Sequence, residues 1–316
     1  MNGLKGAVRC IKRARTIAVA GHVNPDGDSI GSLLSLGLGL EKLGKRVYMV
    51  SSDGVPKKYA TLPGARRIIT DTDRKVDLAI AVDCSNREIL GRAFRIFERA
   101  GEILEIDHHD FRRPFCDVCF IEPRAGAVGE MIYILLKKLR APITPSVAQS
   151  LMTSIIVETS SFRLPGVRPF TFEACNDLIR KGVNFYKLVD TVFWSMSRES
   201  VILSGICLAR CKFIKRGKVV WSHIGIKDFK AVRGKDEDVD AVADDMRAIK
   251  GVDIAVLFRE KDRETIRVSL RSKHRINIAK IAEYYGGGGH FDVAGCSIPN
   301  SAAAINDLLS RTAALP

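Results

Sequence analysis

No stretch of the 316 residues approaches the roughly 18 uninterrupted apolar residues of a membrane span. The basic N-terminus, with Lys5, Arg9, Lys12, Arg13 and Arg15, leads only into the short apolar run Thr16 to Ala20, which His22 and Asp26 interrupt. That run is too short for the apolar region of a signal peptide, so a cytoplasmic protein with no membrane partner is expected. Its eight cysteines form no framework: Cys116 and Cys119 make a lone C-x-x-C without a second pair. Reduced, mostly buried thiols in the core are expected ahead of disulfides, zinc or a redox centre. The chain also has no internal repeat, no low-complexity tract beyond four glycines, and no single basic block.

What is present is the balance of a soluble globular protein, 46% hydrophobic and 27% charged, with length for two domains at about 150 residues each. The net charge is +14, and basic pairs recur at Lys57/Lys58, Arg66/Arg67, Arg112/Arg113 and Lys137/Lys138. Such a surface steers phosphate-bearing partners, which favours a nucleotide or RNA substrate without deciding it.

The first half alternates apolar runs with amphipathic stretches. Strands are expected at Thr16 to Ala20, Arg46 to Val50, Asp77 to Val82 and Glu102 to Ile106. Helices are expected at Ser29 to Leu43, Val128 to Leu139, Pro145 to Val157, Thr171 to Lys181 and Phe185 to Phe193. This βαβ rhythm predicts an α/β fold with a parallel sheet covered by helices. The character changes around Trp194 to Ser200, which divides the chain into residues 1–194 and a smaller α+β domain, 195–316. The second part reads as a hairpin around Arg216-Gly217, a helix near Val239 to Ile249 and strands Asp253 to Arg259 and Glu264 to Leu270. A helix at Ile276 to Tyr285, the glycine run and a last helix at Ser301 to Thr312 complete it.

Acids and histidines fall at the ends of these strands. The first strand runs into Gly21-His22-Val23-Asn24-Pro25-Asp26-Gly27-Asp28, the third into Asp83, the fourth into Asp107-His108-His109. In an open parallel sheet the carboxyl ends of the strands share one edge, so these residues should converge. Alone, Asp26-Gly27-Asp28 reads equally as a helix N-cap and turn, and Asp83 as a turn residue. Adjacent imidazoles beside Asp107 are harder to explain without a functional partner, because desolvating them is costly. A His and Asp cluster without Cys suits Mn²⁺ or Mg²⁺ ahead of zinc, and so many ligands suit two ions rather than one. Two such ions are the usual device for in-line displacement at phosphorus. An extended backbone would project Asp26 and Asp28 the same way.

With these residues in place the chain resembles the DHH phosphoesterases, named for the motif present here as Asp107-His108-His109. The resemblance takes in His22-x-x-x-Asp26-x-Asp28, Asp83 and Gly286-Gly287-Gly288-Gly289-His290, in family order. It is closest to the two-domain members with a DHH-associated C-terminal domain, the nanoRNases (oligoribonucleases) or pAp phosphatases. The resemblance implies one Mn²⁺ on His22, Asp26 and Asp83 and a second on Asp28, Asp83 and His108. It implies a bridging water as nucleophile, His109 facing the scissile phosphate, Asp107 orienting the imidazoles, and Asn24 at the phosphate or bracing its loop. Its substrates would be short single-stranded oligoribonucleotides or pAp-like nucleotides, held in a cleft between the domains, with a homodimer plausible.

One departure is visible. The family's Asp-Thr-Gly followed shortly by Phe reads Glu158-Thr159-Ser160-Ser161-Phe162 here. Glu158 is kept as a ligand of the second metal, and Arg163 and Arg168 are candidates for phosphate contact or a solvated loop. In the C-terminal part, Gly287, Gly288 and Gly289 can expose backbone N–H groups to an anion, closed by His290. Arg271 with His290 is expected to hold the base or a terminal phosphate, near Lys273 and His274, while Tyr284 and Tyr285 offer stacking faces or core packing. The alternatives are a cyclic dinucleotide phosphodiesterase and, from another class, a nucleotide-binding regulator that has lost catalysis.

Overall fold

In the computed structural model, which describes residues 3–109, 112–273, 276–289 and 291–316, the chain divides into two units, Met1–Ser195 and Met196–Pro316. The first is built on β1 (Thr16–Ala20), β2 (Arg46–Val50), β3 (Leu78–Val82), β4 (Ile103–Asp107) and β5 (Val118–Ile121). These are all parallel, in the order β2-β1-β3-β4-β5. Large and small side chains alternate in the strand sequences TIAVA and LAIAV. Ile17, Val19, Leu78, Ile80 and Val82 therefore face one core and Ala18, Ala20, Ala79 and Ala81 the other, as the two-residue period of a strand requires. The bulky face packs against α1 (Gly3–Arg13) and α2 (Gly27–Glu41), and the small face against α3 (Phe94–Phe97) and the turn before it. The bulky face is further covered by α4 (Val128–Leu139) and α5 (Pro145–Glu158), with α6 (Pro169–Arg180) and α7 (Phe185–Phe193) completing the unit.

Strand β2 lies on one side of β1, and β3, β4 and β5 follow on the other. Chain direction across the sheet reverses there, so the loops after β1 and β3 leave either side of the switch point where α/β sheets bind ligands. Close backbone packing holds α2 in place. A Cβ on Gly31 would lie 2.5 Å from the Ser150 carbonyl oxygen and 2.8 Å from the Ser154 nitrogen, so α2 and α5 meet nearly backbone to backbone.

The second unit contains α8 (Arg198–Ala209), β6 (Lys212–Ile214), β7 (Val219–Ile224), α9 (Ile226–Val232), α10 (Val242–Ala248), β8 (Ile254–Glu260) and β9 (Thr265–Ser272). It continues with α11 (Ala279–Tyr284), β10 (Gly288–Gly289), β11 (Val293–Pro299) and α12 (Ala302–Ala314). The sheet order is β10-β11-β9-β8-β7-β6, antiparallel except for β7 with β8. Among the described residues, no helix is long and apolar enough to cross a membrane.

Several elements were not expected from the sequence: α1, β5, α8, α9 and β11. Strand β5 has only four residues, two of them half-buried. Helix α8 carries apolar residues all round, leaving Val201 and Ile202 exposed, so no helical periodicity marks it. Strand β11 buries only Ala294, Cys296 and Ile298, with Gly295 and Ser297 between them, so its apolar signal is weak. The cysteine expectation also needs correction: Cys116 and Cys119 are half-buried and joined as a disulfide at the entry to β5. A bend at Asp117 leaves their Cα atoms 6.3 Å apart, within reach of each other instead of directed into the core. Of the remaining six, five are buried thiols as expected, with Cys211 partly exposed.

Replacing Gly31 by Ala is expected to cost about 1–3 kcal/mol of unfolding free energy in a urea titration, because the added methyl meets backbone that cannot rotate away. An unchanged midpoint would mean that α2 and α5 separate freely.

Candidate metal centre

Three neighbouring strands deliver the site. The loop after β1 brings His22 and Asp26, the N-terminal turn of α2 brings Asp28, the end of β3 brings Asp83, and the end of β4 brings His108 and His109. Glu158 arrives on the last turn of α5. Asp26 does not continue as extended backbone into Asp28, contrary to the sequence expectation. It caps α2 with φ −95° and ψ −164°, its Oδ1 accepting the Ser29 N–H at 3.0 Å, and Asp28 is already helical. Capping and clustering thus coexist, for the same Oδ1 lies 3.8 Å from His22 Nε2.

The ligand-type atoms fall into groups whose members lie within 4.8 Å of one another: His22, Asp26 and Asp83; Asp28, His108 and Glu158; and Asp83, His108 and His109. Asp83 stands between the first two. Its Oδ2 is 3.4 Å from His22 Nε2 and its Oδ1 4.0 Å from His108 Nε2. His108 Nε2 is also 3.4 Å from Glu158 Oε1 and 3.9 Å from Asp28 Oδ2. Both imidazoles are oriented from behind. His22 Nδ1 donates to the Val23 carbonyl at 2.7 Å and His108 Nδ1 to the Ala125 carbonyl at 3.0 Å, which leaves each Nε2 as the lone-pair nitrogen among the carboxylates.

The electrostatics of this cluster favour added positive charge. Asp28 is pushed well above the ordinary carboxylate range, by burial first and then by the charges of Asp83 and Glu158. Burial alone would lower the histidines. The hydrogen bonds and charges of Asp26 and Asp83 instead hold His22 well above its ordinary pKa, and Glu158, Asp28 and Asp83 do the same for His108. Oxygen and imidazole donors without thiolate, in groups of this span and with negative charge in excess, fit hard or borderline divalent cations.

Apart from Asp107, which was expected to orient the imidazoles, the supports of these ligands carried no expectation from the sequence. Asp28 is fully buried: its Oδ2 accepts the Val128 N–H at 2.9 Å, at the N-terminus of α4, and its Oδ1 accepts the hydroxyls of Ser154 at 2.5 Å and Ser32 at 2.9 Å. Asp107 accepts His109 Nδ1 at 2.6 Å and Arg112 Nε at 3.2 Å, and Arg112 also pairs with the buried Glu105. Burial would raise Asp107, yet the His109 bond and the nearby cations hold it below the ordinary carboxylate value. The one available signal for Ser32 and Ser154 is a polar hydroxyl on otherwise apolar, closely packed helix faces.

Backbone strain gathers here as well. Among the described residues other than glycine, positive φ occurs at nine positions, and Asn24, Asp83, Ser160, Ser161 and Phe162 account for five of them. Ser160, where the family pattern has glycine, has φ +46°. The exposed Asn24 donates its backbone N–H to Asp53 at 2.7 Å, which braces the loop. Arg163 donates to the Ser160 carbonyl at 2.7 Å within its own segment, and Arg168 donates to the buried Glu130 of α4 at 2.7 Å.

In the second unit the glycine run is built into structure rather than left as a free loop. The N–H groups of Gly286 and Gly287 close α11 on the Glu283 and Ala282 carbonyls, and Gly288–Gly289 pair with β11. A Cβ on Gly287 would lie 2.2 Å from the Gly295 carbonyl oxygen, so glycine is required there by packing. Arg271 is paired with Asp244 at 3.1 Å. Arg311 lies 3.7 Å over the Tyr284 ring, while Tyr285 packs partly in the core. His274 and His290 lie outside the described residues.

Two predictions concern the metal-free chain. The raised histidines contribute stability that is full below their unfolded pKa of about 6.5 and lost as pH rises through the folded value. The melting temperature in chelator should therefore fall from pH 6.5 upward, and added Mn²⁺ should remove that loss; a flat profile would contradict the charge balance described. Replacing Ser160 by Gly relieves a left-handed serine at the cost of chain entropy, and should stabilise by up to about 1 kcal/mol in thermal unfolding, whereas destabilisation would show that the serine is not strained.

The comparisons with known proteins agree with this geometry. The N-terminal domain of the DHH family matches residues 16–155 and the DHHA1 domain residues 229–315. A bifunctional oligoribonuclease and PAP phosphatase, NrnA, of Thermus thermophilus is 28% identical over 89% of this chain and 84% of its own length. The cyclic-di-AMP phosphodiesterase GdpP of Bacillus subtilis is 26% identical over 95% of this chain, which corresponds to 47% of that protein. The crystal structure of an exopolyphosphatase-related protein from Bacteroides fragilis shares the fold, with a TM-score of 0.91 and 21% identity over 98% of this chain and 95% of that one. With both domain matches in place, in the order of the sequence motifs and together taking in most of its length, the chain belongs to the DHH family, an N-terminal DHH domain followed by a DHHA1 domain.

Proposed function

We propose that this chain is a two-metal phosphoesterase that hydrolyses very short oligoribonucleotides to nucleoside 5′-monophosphates and removes the 3′-phosphate of pAp-like nucleotides. The observation that carries this reading is the pair of ligand groups on either side of Asp83, each with a histidine Nε2 among carboxylates. His22, Asp26 and Asp83 would hold one ion, and Asp28, Asp83, His108 and Glu158 the other, Mn²⁺ ahead of Mg²⁺. Bound there, the ions would polarise a phosphoryl oxygen and lower the pKa of an attacking water.

The protein's own groups do the rest. Asp83 directs one oxygen to each group, so a single carboxylate sets the separation of the sites. His109 donates Nδ1–H to Asp107, which raises its pKa against the effect of burial, and as the imidazolium it would donate Nε2–H to the scissile phosphate. Asn24 and the exposed Gly288–Gly289 edge are the proposed substrate contacts. Arg271 joins them only on leaving Asp244.

A relative named for both activities, similar along most of both chains, supports the nanoRNA and pAp reading. A second reading, cleavage of cyclic dinucleotides, is supported by the similarity to a cyclic-di-AMP phosphodiesterase and is separated from the first by comparing turnover of pApA with cyclic di-AMP.

Hydrolysis of a labelled RNA dinucleotide and of pAp with Mn²⁺, against chelator, tests the proposal. Asp83→Ala and Glu158→Ala should each lower Mn²⁺-dependent turnover by roughly 100-fold or more, above the range typical of outer-sphere partners. No turnover of either substrate by the unaltered chain would sink the reading, and full activity of Glu158→Ala would remove that residue from the ligand set.

A further inference from the structure

Tyr59 lies on the short turn Lys57–Tyr59 after β2, 1% exposed, with its ring in the main core of the first unit. Its hydroxyl is buried and makes no hydrogen bond. Phenylalanine would fill the same space without that cost, because a buried unsatisfied hydroxyl is penalised by its full desolvation. The hydroxyl lies against the centre of the metal loop. A Cβ placed on Gly27 would come within 2.9 Å of the Tyr59 oxygen and within 2.4 Å of the Val157 side chain. Gly27, between Asp26 and Asp28, thus packs against both Tyr59 and the residue that precedes Glu158. Burial raises the Tyr59 pKa first and the Asp26 carboxylate raises it further, while the Gly27 N–H approaches without the alignment of a hydrogen bond. The hydroxyl therefore acts on the segment that joins the two ligand groups by contact, and the position of that segment sets the geometry of the ligands it carries.

We infer that Tyr59 is a positioning residue for the metal loop, whose buried hydroxyl against Gly27 fixes the Asp26–Gly27–Asp28 segment for cation binding. The residue touches neither substrate nor reacting atoms and acts through that segment. This inference rests on the two-metal reading of the cluster. Its signature is an opposition of two properties: the hydroxyl is unfavourable for the folded chain without cations and favourable for cation binding. A group that merely fills the core would move both together.

The test is Tyr59→Phe, with Mn²⁺ affinity read from the electron paramagnetic resonance signal of free Mn²⁺ and the melting temperature measured in chelator. The expected result is Mn²⁺ binding weakened by about 10-fold or more with a melting temperature in chelator equal to or above that of the unaltered chain. Unchanged Mn²⁺ affinity would overturn the inference and leave the two-metal reading standing. A lower melting temperature in chelator alongside weaker binding would overturn it in favour of ordinary packing. Failure of the unaltered chain to bind Mn²⁺ would overturn both.

Discussion

The first unit depends on one electrostatic constraint, the crowding of carboxylates around Asp83 at the ends of the parallel strands. Asp26, Asp28, Asp83 and Glu158 lie in groups spanning no more than 4.8 Å, with Asp28 and Asp83 buried. Two like charges about 4 Å apart repel by roughly 4 kcal/mol at the effective dielectric of a protein surface. Histidine protons relieve part of this, which is why His22 and His108 are held above their ordinary pKa although burial opposes it. Divalent cations relieve more, so the folded chain is suited to take them up.

Much of the surrounding structure serves to hold that charge. Asp28 receives two hydroxyls and the N-terminal N–H of α4, a set of fixed dipoles that lets a buried carboxylate approach the others. Backbone carbonyls of Val23 and Ala125 turn the imidazoles so that Nε2 faces inward. The close packing of α2 on α5 at Gly31 brings Glu158, on a helix more than a hundred residues downstream, into the same group as Asp28. Left-handed backbone at Asp83 and at Ser160 to Phe162 is the residual cost of these placements.

The second unit follows a different logic. Its glycine run serves packing first, since Gly286 and Gly287 terminate α11 and Gly287 meets the Gly295 carbonyl. Gly288 and Gly289 form the exposed edge strand beside β11.

Ligand-type residues at the ends of apolar strands were legible in the sequence because strand period and parallel topology dictate where those ends lie, and so was membership of the DHH family, through His22, Asp26, Asp28, Asp83 and Asp107-His108-His109. The long periodic helices α4 and α7 were legible to the residue. Short β5, the aperiodic α8 and the disulfide of Cys116 with Cys119 were not, because β5 spans four residues, α8 has no apolar stripe and a lone C-x-x-C does not specify a pairing. The partners of Asp28, the pairing of Arg271 with Asp244, the Arg112 bonds to Glu105 and Asp107, and the contact of Tyr59 with Gly27 were decided by tertiary structure alone. Sequence periodicity specifies which face of an element is buried, whereas which side chain meets which depends on helix packing distances and backbone turns that no local pattern encodes.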